Sequence, residues 1–286
     1  MKRTYLVVVI VMLFTLEHPV GAWGPEGHRI VAHIAELRLS DVAHQALAHI
    51  LADGEQISDN MICNWPDYVR RDQPETGPWH YVSIPKGAEF YDEHRYCPEG
   101  QCIVHQIHFM EAIVADESKS LEDRKTALRF LVHFLGDVHQ PLHCADYDDD
   151  RGGNERLVIY PGQDKPTKLH AVWDSNIVRE LMNPLGPLVF ADKLNARISS
   201  RRARQWARGT PEDWAWESHQ LAMKYAYAVV PPKDGPPMAL DTAYVKVAKK
   251  VAEQQLMKAG VRLAEALNRS LINVPAEVIE SSASSE

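Results

Sequence analysis

The stretch from Arg129 to His143 limits the possible folds of this chain more than any other. It reads Arg-Phe-Leu-Val-His-Phe-Leu-Gly-Asp-Val-His-Gln-Pro-Leu-His. The apolar side chains recur at the spacing of a buried helical stripe, at Leu128, Leu131, Val132, Leu135 and Val138. Pro141 predicts the end of this helix. Phe130 and Phe134 widen the stripe, which predicts that the helix lies at the centre of the fold.

The same stretch carries polar side chains that a buried helix does not need. His133 and Asp137 are four residues apart, so they share one face of the helix. His139 and His143 follow within six residues. A metal ion accounts for this cluster, and a buried His–Asp hydrogen bond is the alternative on this stretch alone.

Most of the remaining chain also has helical patterns. Ser40 and Ser120 are predicted helix caps, and Thr210 precedes a proline at a first helical position. Turn residues from 145 to 168 predict a small hairpin that contains Leu157–Tyr160. Further helices are expected at about 30–37, 41–51, 103–116, 169–181, 188–208, 211–229 and 241–271. A loop is expected at 53–64 and a short extended segment at 79–85. Residues 148–150, three aspartates, are expected to form a solvated loop, with a calcium site as the alternative. The predicted fold is mainly α, in a single domain.

The N-terminal residues have the pattern of a targeting segment. Lys2 and Arg3 precede an apolar run at 5–16, and small residues end at Ala22. We expect a signal peptide at 1–22, a mature domain at 23–274 that starts with Trp23, and a flexible tail at 275–286. The protein would then be periplasmic or secreted. An uncleaved membrane anchor is the alternative.

The net charge limits the modes of nucleic-acid binding, and the cysteine usage fits an exported protein. The formal net charge is −8, and removal of 1–22 takes away two cations and one acid, leaving −9. This argues against binding nucleic acid through a broad basic surface, but bound cations can supply local positive charge. Cys97 and Cys102 are predicted to pair in a short loop. Cys63 and Cys144 can pair with each other or remain thiols.

Other segments repeat the combination of imidazole and carboxylate. His170 and Asp174 are again four residues apart, and Asp67 and His80 lie beside tryptophans. The full set of candidate metal ligands is Trp23, His28, Asp67, His80, His133, Asp137, His143, His170 and Asp174. Apart from the tryptophan, their side chains are imidazoles or carboxylates, which are typical of zinc in a hydrolytic site rather than in a cysteine-rich structural one. Their number predicts a multi-metal cluster for phosphoryl-ester chemistry.

The motifs together resemble the zinc-dependent, single-strand-specific nucleases of the S1/P1 type. The motifs, in chain order, are Trp-Gly-x-x-Gly-His, Trp-x-Asp-x-x-Arg, Trp-His-Tyr-Val, His-Phe-x-Gly-Asp-x-His-Gln-Pro-Leu-His, Arg-Gly-Gly-Asn and Leu-His-x-x-Trp-Asp. The resemblance extends from Trp23 to Asn268. It implies the α-helical, three-zinc fold that these nucleases share with bacterial phospholipase C.

The resemblance also implies three ligand sets. They are Asp67, His80, His133 and Asp137; the α-amino and carbonyl groups of Trp23 with His28 and Asp137; and His143, His170 and Asp174. Asp137 would therefore bridge two of the ions. The amino group of Trp23 becomes a ligand only after Ala22 is removed, because an amide nitrogen is a poor donor to zinc.

Substrate contacts are implied in the same way. Arg70 would bind the scissile phosphate, and Tyr81 would stack on the base 5′ to the cut. Asn154, which follows Gly153, would hydrogen-bond a base edge or a phosphate. The fungal enzymes read the base with a carboxylate where this chain has Ser83, so their base preference does not carry over.

The expected activity is endonucleolytic hydrolysis of single-stranded DNA and RNA to 5′-phosphorylated products. Hydrolysis of 3′-mononucleotides is expected as well, by a protein that is a monomer with no stable protein partner. One alternative is a zinc-dependent phospholipase C, whose closest members carry Glu where this chain has Asp174. A second is a periplasmic protein that binds zinc without catalysis, in which Arg70 and Tyr81 would have no role.

Overall fold

Helices make up most of the structure. The computed structural model describes residues 23–229 and 231–272, so the predictions for 1–22 and 275–286 lie outside it. The α-helices are α1 (Pro25–Glu36), α2 (Asp41–Ile50), α3 (Asn60–Cys63), α4 (Trp65–Val69), α5 (Glu93–Tyr96), α6 (Ile103–Ala115), α7 (Leu121–Asp137), α8 (Leu169–Ala171), α9 (Ile177–Met182), α10 (Pro187–Ala196), α11 (Ser200–Trp206), α12 (Pro211–Tyr225) and α13 (Thr242–Ser270). Short 3₁₀ segments are Pro74–His80, Pro98–Gly100, Pro141–Cys144 and Ala226–Ala228.

Helix α7 lies at the centre of the molecule, as its apolar stripe predicted. Ser120 caps it by accepting a hydrogen bond from the Asp123 amide at 3.1 Å. Every residue from Phe130 to Asp137 is buried. Helix α6 packs along α7, while α1 packs against α13 and α10. The core therefore surrounds the face of α7 that carries His133 and Asp137.

A small three-stranded sheet accompanies the helices. Strands β1 (Leu157–Ile159) and β2 (Thr167–Lys168) form the predicted antiparallel hairpin. The third strand, β3 (Met238–Ala239), adds to β1 in parallel and was not predicted. In the described part of the chain, no helix combines the length and apolar composition that a bilayer span needs.

Some local predictions were wrong. The segment expected as one helix at 188–208 is two, α10 and α11. Ser199 starts α11 by accepting a hydrogen bond from the Arg202 amide. Trp79 and His80, expected to be extended, end the 3₁₀ segment Pro74–His80. The loop expected at 53–64 contains the one-turn helix α3.

The cysteines follow one of the two patterns that the sequence left open. Cys97 and Cys102 form the predicted disulfide, with an S–S distance of 2.05 Å. Cys63 and Cys144 are buried free thiols, so they do not pair. Burial raises the pKa of the Cys63 thiol to about 12, so this thiol is neutral at physiological pH. Neither thiol is among the clustered metal-ligand candidates of the described chain.

Candidate metal centre

Asp137, at the end of α7, lies between the imidazole of His133 on the same helix and those of two other segments. Its Oδ1 is 3.2 Å from Nε2 of His28 on α1. Its Oδ2 is 3.1 Å from Nδ1 of His80 and 3.3 Å from Nε2 of His133. Asp67, on α4, places Oδ1 3.8 Å from Nε2 of His133. The two oxygens of one carboxylate thus face two different groups of donors, which is the geometry of a bridging ligand.

A further group lies at the other side of the cluster. Nε2 of His170 is 3.1 Å from Nε2 of His143 and 3.4 Å from Oδ2 of Asp174. The 3₁₀ turn Pro141–Cys144 presents His143. His170 and Asp174 lie along the α8 segment and the π-helical turn Val172–Asn176. Such π turns are rare and concentrate at functional sites.

Backbone carbonyls fix the orientation of three of these rings. Nδ1 of His133 lies 2.7 Å from the Cys63 carbonyl oxygen. Nδ1 of His143 lies 2.7 Å from the His80 carbonyl oxygen, and Nδ1 of His170 lies 2.7 Å from that of Gly152. A carbonyl only accepts, so each Nδ1 must donate. The Nε2 lone pair of each ring then faces the cluster, as a metal ligand requires.

Several buried polar atoms of the cluster have no hydrogen-bond partner among the described residues. They are Nδ1 and Nε2 of His28, Nε2 of His80, Nε2 of His133, Oδ1 of Asp67, Oδ1 of Asp137 and Oδ2 of Asp174. Buried polar atoms without partners are costly. Their convergence forms groups that could hold cations, and the donor types fit zinc. The sets within mutual reach are His28, His133 and Asp137; Asp67, His80 and His133; and His143, His170 and Asp174.

Burial favours the neutral form of both kinds of candidate ligand. It lowers the pKa of His28 and of His170 to about 4, so both rings are neutral at physiological pH. Burial raises the pKa of Asp137 and of Asp174 well above the usual carboxyl range. Two carboxylates in this position are costly without nearby positive charge, and a cation supplies that charge.

The beginning of the described chain lies beside the third group. Trp23 is fully buried, and its Cβ packs against Gly27. The next residue, Gly24, donates its amide hydrogen to the Asp174 carbonyl oxygen at 2.7 Å. A side chain at Gly24 would collide with Ser175, because its Cβ would lie 2.6 Å from the hydroxyl oxygen. The backbone of Trp23 is therefore held close to Asp174.

The predicted substrate residues, apart from Gly153, line one cleft of about 710 Å³ next to the cluster. NH1 of Arg70 is 3.5 Å from Oδ1 of Asp67, so the guanidinium lies at the cluster's edge. Tyr81 is 46 % exposed. Asn154 also lines the cleft, but its side-chain amide nitrogen donates a hydrogen bond to the Arg151 carbonyl oxygen at 2.9 Å. Gly153 is buried, outside the cleft lining.

Two contributors were not predicted from the sequence. Gln140 donates its side-chain amide to Oδ1 of Asp174 at 2.5 Å and accepts a hydrogen bond from the Leu142 amide. Asp150 belongs to a run of three aspartates expected to form a solvated loop, but it is fully buried. Gln140 lies within the sequence motif around His139, and its place in that motif was the signal that could have identified it. No local pattern distinguished Asp150 from its neighbours.

Comparisons with known proteins agree with this geometry. The family profile described as S1/P1 Nuclease matches residues 23–272. The chain belongs to the S1/P1 nuclease family. Membership in this family confirms the predicted mainly helical, phospholipase C-like fold and makes the protein a nuclease.

Relatives of this nuclease match nearly full length. Endonuclease 2 of Arabidopsis thaliana is 30 % identical over 285 residues, which cover 92 % of this chain and 96 % of the relative. Nuclease S1 of Aspergillus oryzae is 29 % identical over 266 residues, which cover 85 % of this chain and 89 % of the relative. Nuclease P1 of Penicillium citrinum is 29 % identical over 272 residues, which cover 86 % of this chain and 97 % of the relative.

Proposed function

We propose that this nuclease is an exported, zinc-dependent endonuclease that cleaves single-stranded DNA and RNA to 5′-phosphorylated products. It would also remove the phosphate from 3′-mononucleotides. The proposal rests on one observation above all: a buried cluster of histidines and aspartates, with unpartnered donor atoms, lies at the wall of a cleft that holds Arg70 and Tyr81.

Three zinc ions would occupy the cluster. The first would bind Asp67, His80, His133 and Asp137, and the second Trp23, His28 and Asp137. The third would bind His143, His170 and Asp174. Bound zinc lowers the pKa of water and neutralises the charge of phosphate oxygens.

The other side chains of the cleft would orient the substrate. The guanidinium of Arg70 can donate two parallel hydrogen bonds to a phosphate and stabilise charge that develops in the transition state. Tyr81 offers an exposed ring for stacking on a base. Stacking needs a base released from its duplex neighbours, which favours single strands of either DNA or RNA.

Export and catalysis would be linked through Trp23. Removal of a signal peptide at 1–22 would free its amino group, which can donate a lone pair to zinc. The mature domain would comprise residues 23–274 and act as a monomer, with 275–286 as a flexible tail. A version with extra residues left ahead of Trp23 is expected to bind one zinc ion fewer and to lose most activity. Full activity and three ions in that version would refute the amino-terminal ligand.

The central experiment uses protein that begins at Trp23. It is incubated with single-stranded DNA, with and without a chelator, and the phosphate ends of the products are identified. Chelator-sensitive cleavage to 5′-phosphates is the expected result. Products with 3′-phosphates, or cleavage that a chelator leaves unchanged, would contradict the proposal.

Phosphatidylcholine provides the control substrate. Its hydrolysis tests whether the cluster serves a phospholipase instead, since the two activities share a mainly helical fold. Faster turnover of phosphatidylcholine than of single-stranded DNA would reverse the substrate assignment. We expect the opposite, because Arg70 and Tyr81 both suit a nucleotide.

A further inference from the structure

Asp150 is a fully buried carboxylate outside the ligand sets. Its Oδ1 accepts hydrogen bonds from the amides of Tyr147 and Gly153, at 3.1 and 3.0 Å, and from the Tyr227 hydroxyl at 2.9 Å. Its Oδ2 accepts one from Nε of Arg156 at 3.1 Å. Four donors from two parts of the chain thus converge on a single side chain.

The loop that surrounds Asp150 has an unusual backbone. Asp148, Asp149 and Arg151 have φ angles of +57°, +58° and +57°, and Gly152 and Gly153 follow with +65° and +78°. Residues other than glycine rarely adopt such angles, and they keep them only where surrounding contacts impose them. The carboxylate of Asp150 supplies such contacts from inside the loop.

This loop holds one candidate ligand in place. The Gly152 carbonyl oxygen accepts the hydrogen bond of Nδ1 of His170 at 2.7 Å, and the Gly153 carbonyl oxygen accepts that of the His170 backbone amide at 3.3 Å. A Cβ at Gly152 would lie 2.4 Å from the Leu142 carbonyl oxygen. The position of the loop therefore decides the position of the ring.

Arg156 connects the carboxylate to the rest of the fold. Its NH1 donates to the Pro231 carbonyl oxygen at 3.1 Å, and its NH2 donates to that of Tyr147 at 2.8 Å. Its own carbonyl oxygen accepts the amide of Leu169, the residue before His170, at 2.8 Å. The ion pair of Asp150 and Arg156 thus fixes both the loop and the start of the α8 segment.

We propose that Asp150 is a positioning residue for the third metal group, acting on His170 through the carbonyl oxygens of Gly152 and Gly153. Its effect is selective, because the groups around Asp137 are anchored through other elements. This inference rests on the proposed metal-dependent function. It means that Asp150 helps to set the affinity of the protein for one of the ions.

The test is a zinc titration of Asp150→Asn against a competing chelator, with metal content measured by mass spectrometry. The substitution keeps the side-chain shape but turns an amide toward the Arg156 guanidinium. We expect the affinity for one of three ions to fall about 10- to 100-fold, as for outer residues that orient metal ligands. The other two affinities are expected to stay unchanged.

Two further variants define which ion is affected and how. His170→Ala removes the ligand itself, so adding Asp150→Asn to it should cause no further loss of affinity. Glu217→Gln is the matched control, because it disrupts another, partly buried carboxylate–arginine pair, with Arg262 at 2.9 Å. That control is expected to lower the melting temperature and to retain all three ions.

Equal weakening at all three sites, or unchanged affinities in Asp150→Asn, would overturn the inference. If Asp150→Asn fails to fold, Tyr227→Phe decides instead. This variant removes only one hydrogen bond to Asp150, so it should weaken the binding of the same ion to a smaller degree. Unchanged affinity in Tyr227→Phe would also contradict the inference. Wild-type protein that binds no zinc would refute the proposed function itself, which separates the two failures.

Discussion

At the scale of single residues, Arg70 is the side chain on which turnover should depend most. Its guanidinium lies 3.5 Å from Asp67, at the junction of cluster and cleft. Arg70→Ala is expected to lower kcat on single-stranded DNA on the order of 10²–10³-fold, as for other lost transition-state donors. Zinc content should remain unchanged, since Arg70 is not a proposed ligand. Arg70→Lys tests geometry, because an ammonium cannot form the two parallel bonds. Turnover unaffected by Arg70→Ala would remove this residue from the mechanism.

Tyr81 should act on binding rather than on folding. Its ring is 46 % exposed, so its removal costs little packing. Tyr81→Ala is expected to weaken binding of single-stranded substrate by about 1–3 kcal/mol, the usual contribution of one stacked base. Tyr81→Phe keeps the ring and should bind almost normally. KM values for single-stranded DNA measure the difference, and equal values for the Ala and Phe variants would argue against stacking.

At the scale of elements, Gly136 allows α1 and α7 to approach at the metal centre. A Cβ at Gly136 would lie 2.6 Å from Nδ1 of His28. Gly136→Ala, normally favourable inside a helix, should therefore displace this ring and reduce bound zinc. Gly260→Ala is the matched control. Its Cβ would lie 2.4 Å from Ile34, away from the cluster.

The two glycine variants should differ in which property they lose, bound zinc or folding stability. Overpacking at Gly260 is expected to cost about 1–3 kcal/mol of stability while zinc content stays at its wild-type level. Metal analysis and thermal unfolding of both variants make the comparison. Loss of zinc in both, or in neither, would show that Gly136 has no special relation to the metal centre.

Sequence patterns predicted elements well where the determining contacts are local. Apolar periodicity and the Ser120 cap were sufficient for α7, and the disulfide of Cys97 and Cys102 closes a short loop. Non-local contacts escaped prediction. The pairing of β3 with β1 joins residues about eighty positions apart. The burial of Asp150 depends on Arg156 and on Tyr227 from a distant helix. The His and Asp candidates were found because their chemistry differs from that of the core around them.

At the scale of the whole molecule, the buried cluster should set how the protein responds to acid. The pKa of His28 and of His170 is held at about 4 by burial. Metal binding needs neutral imidazole, so protons compete with zinc at these rings only as the pH approaches that value. Bound zinc is expected to be released as the pH falls toward about 4, where these two rings take up protons.

Dialysis over a pH series, followed by metal analysis, measures this release. Loss centred near pH 6.5, the ordinary imidazole value, would mean that burial does not keep these rings neutral. The acid-released protein should regain zinc when it is returned to neutral pH with the metal, which separates proton competition from irreversible unfolding.

The packing of α1 against α13 has a consequence for the timing of synthesis. Helix α1 carries His28 near the start of the domain, and it is covered by the last helix, through contacts such as Ile34 against Gly260. A chain still emerging from the ribosome lacks this cover until α13 has been translated. The candidate metal centre of this nuclease is therefore completed only after α13 has been synthesised.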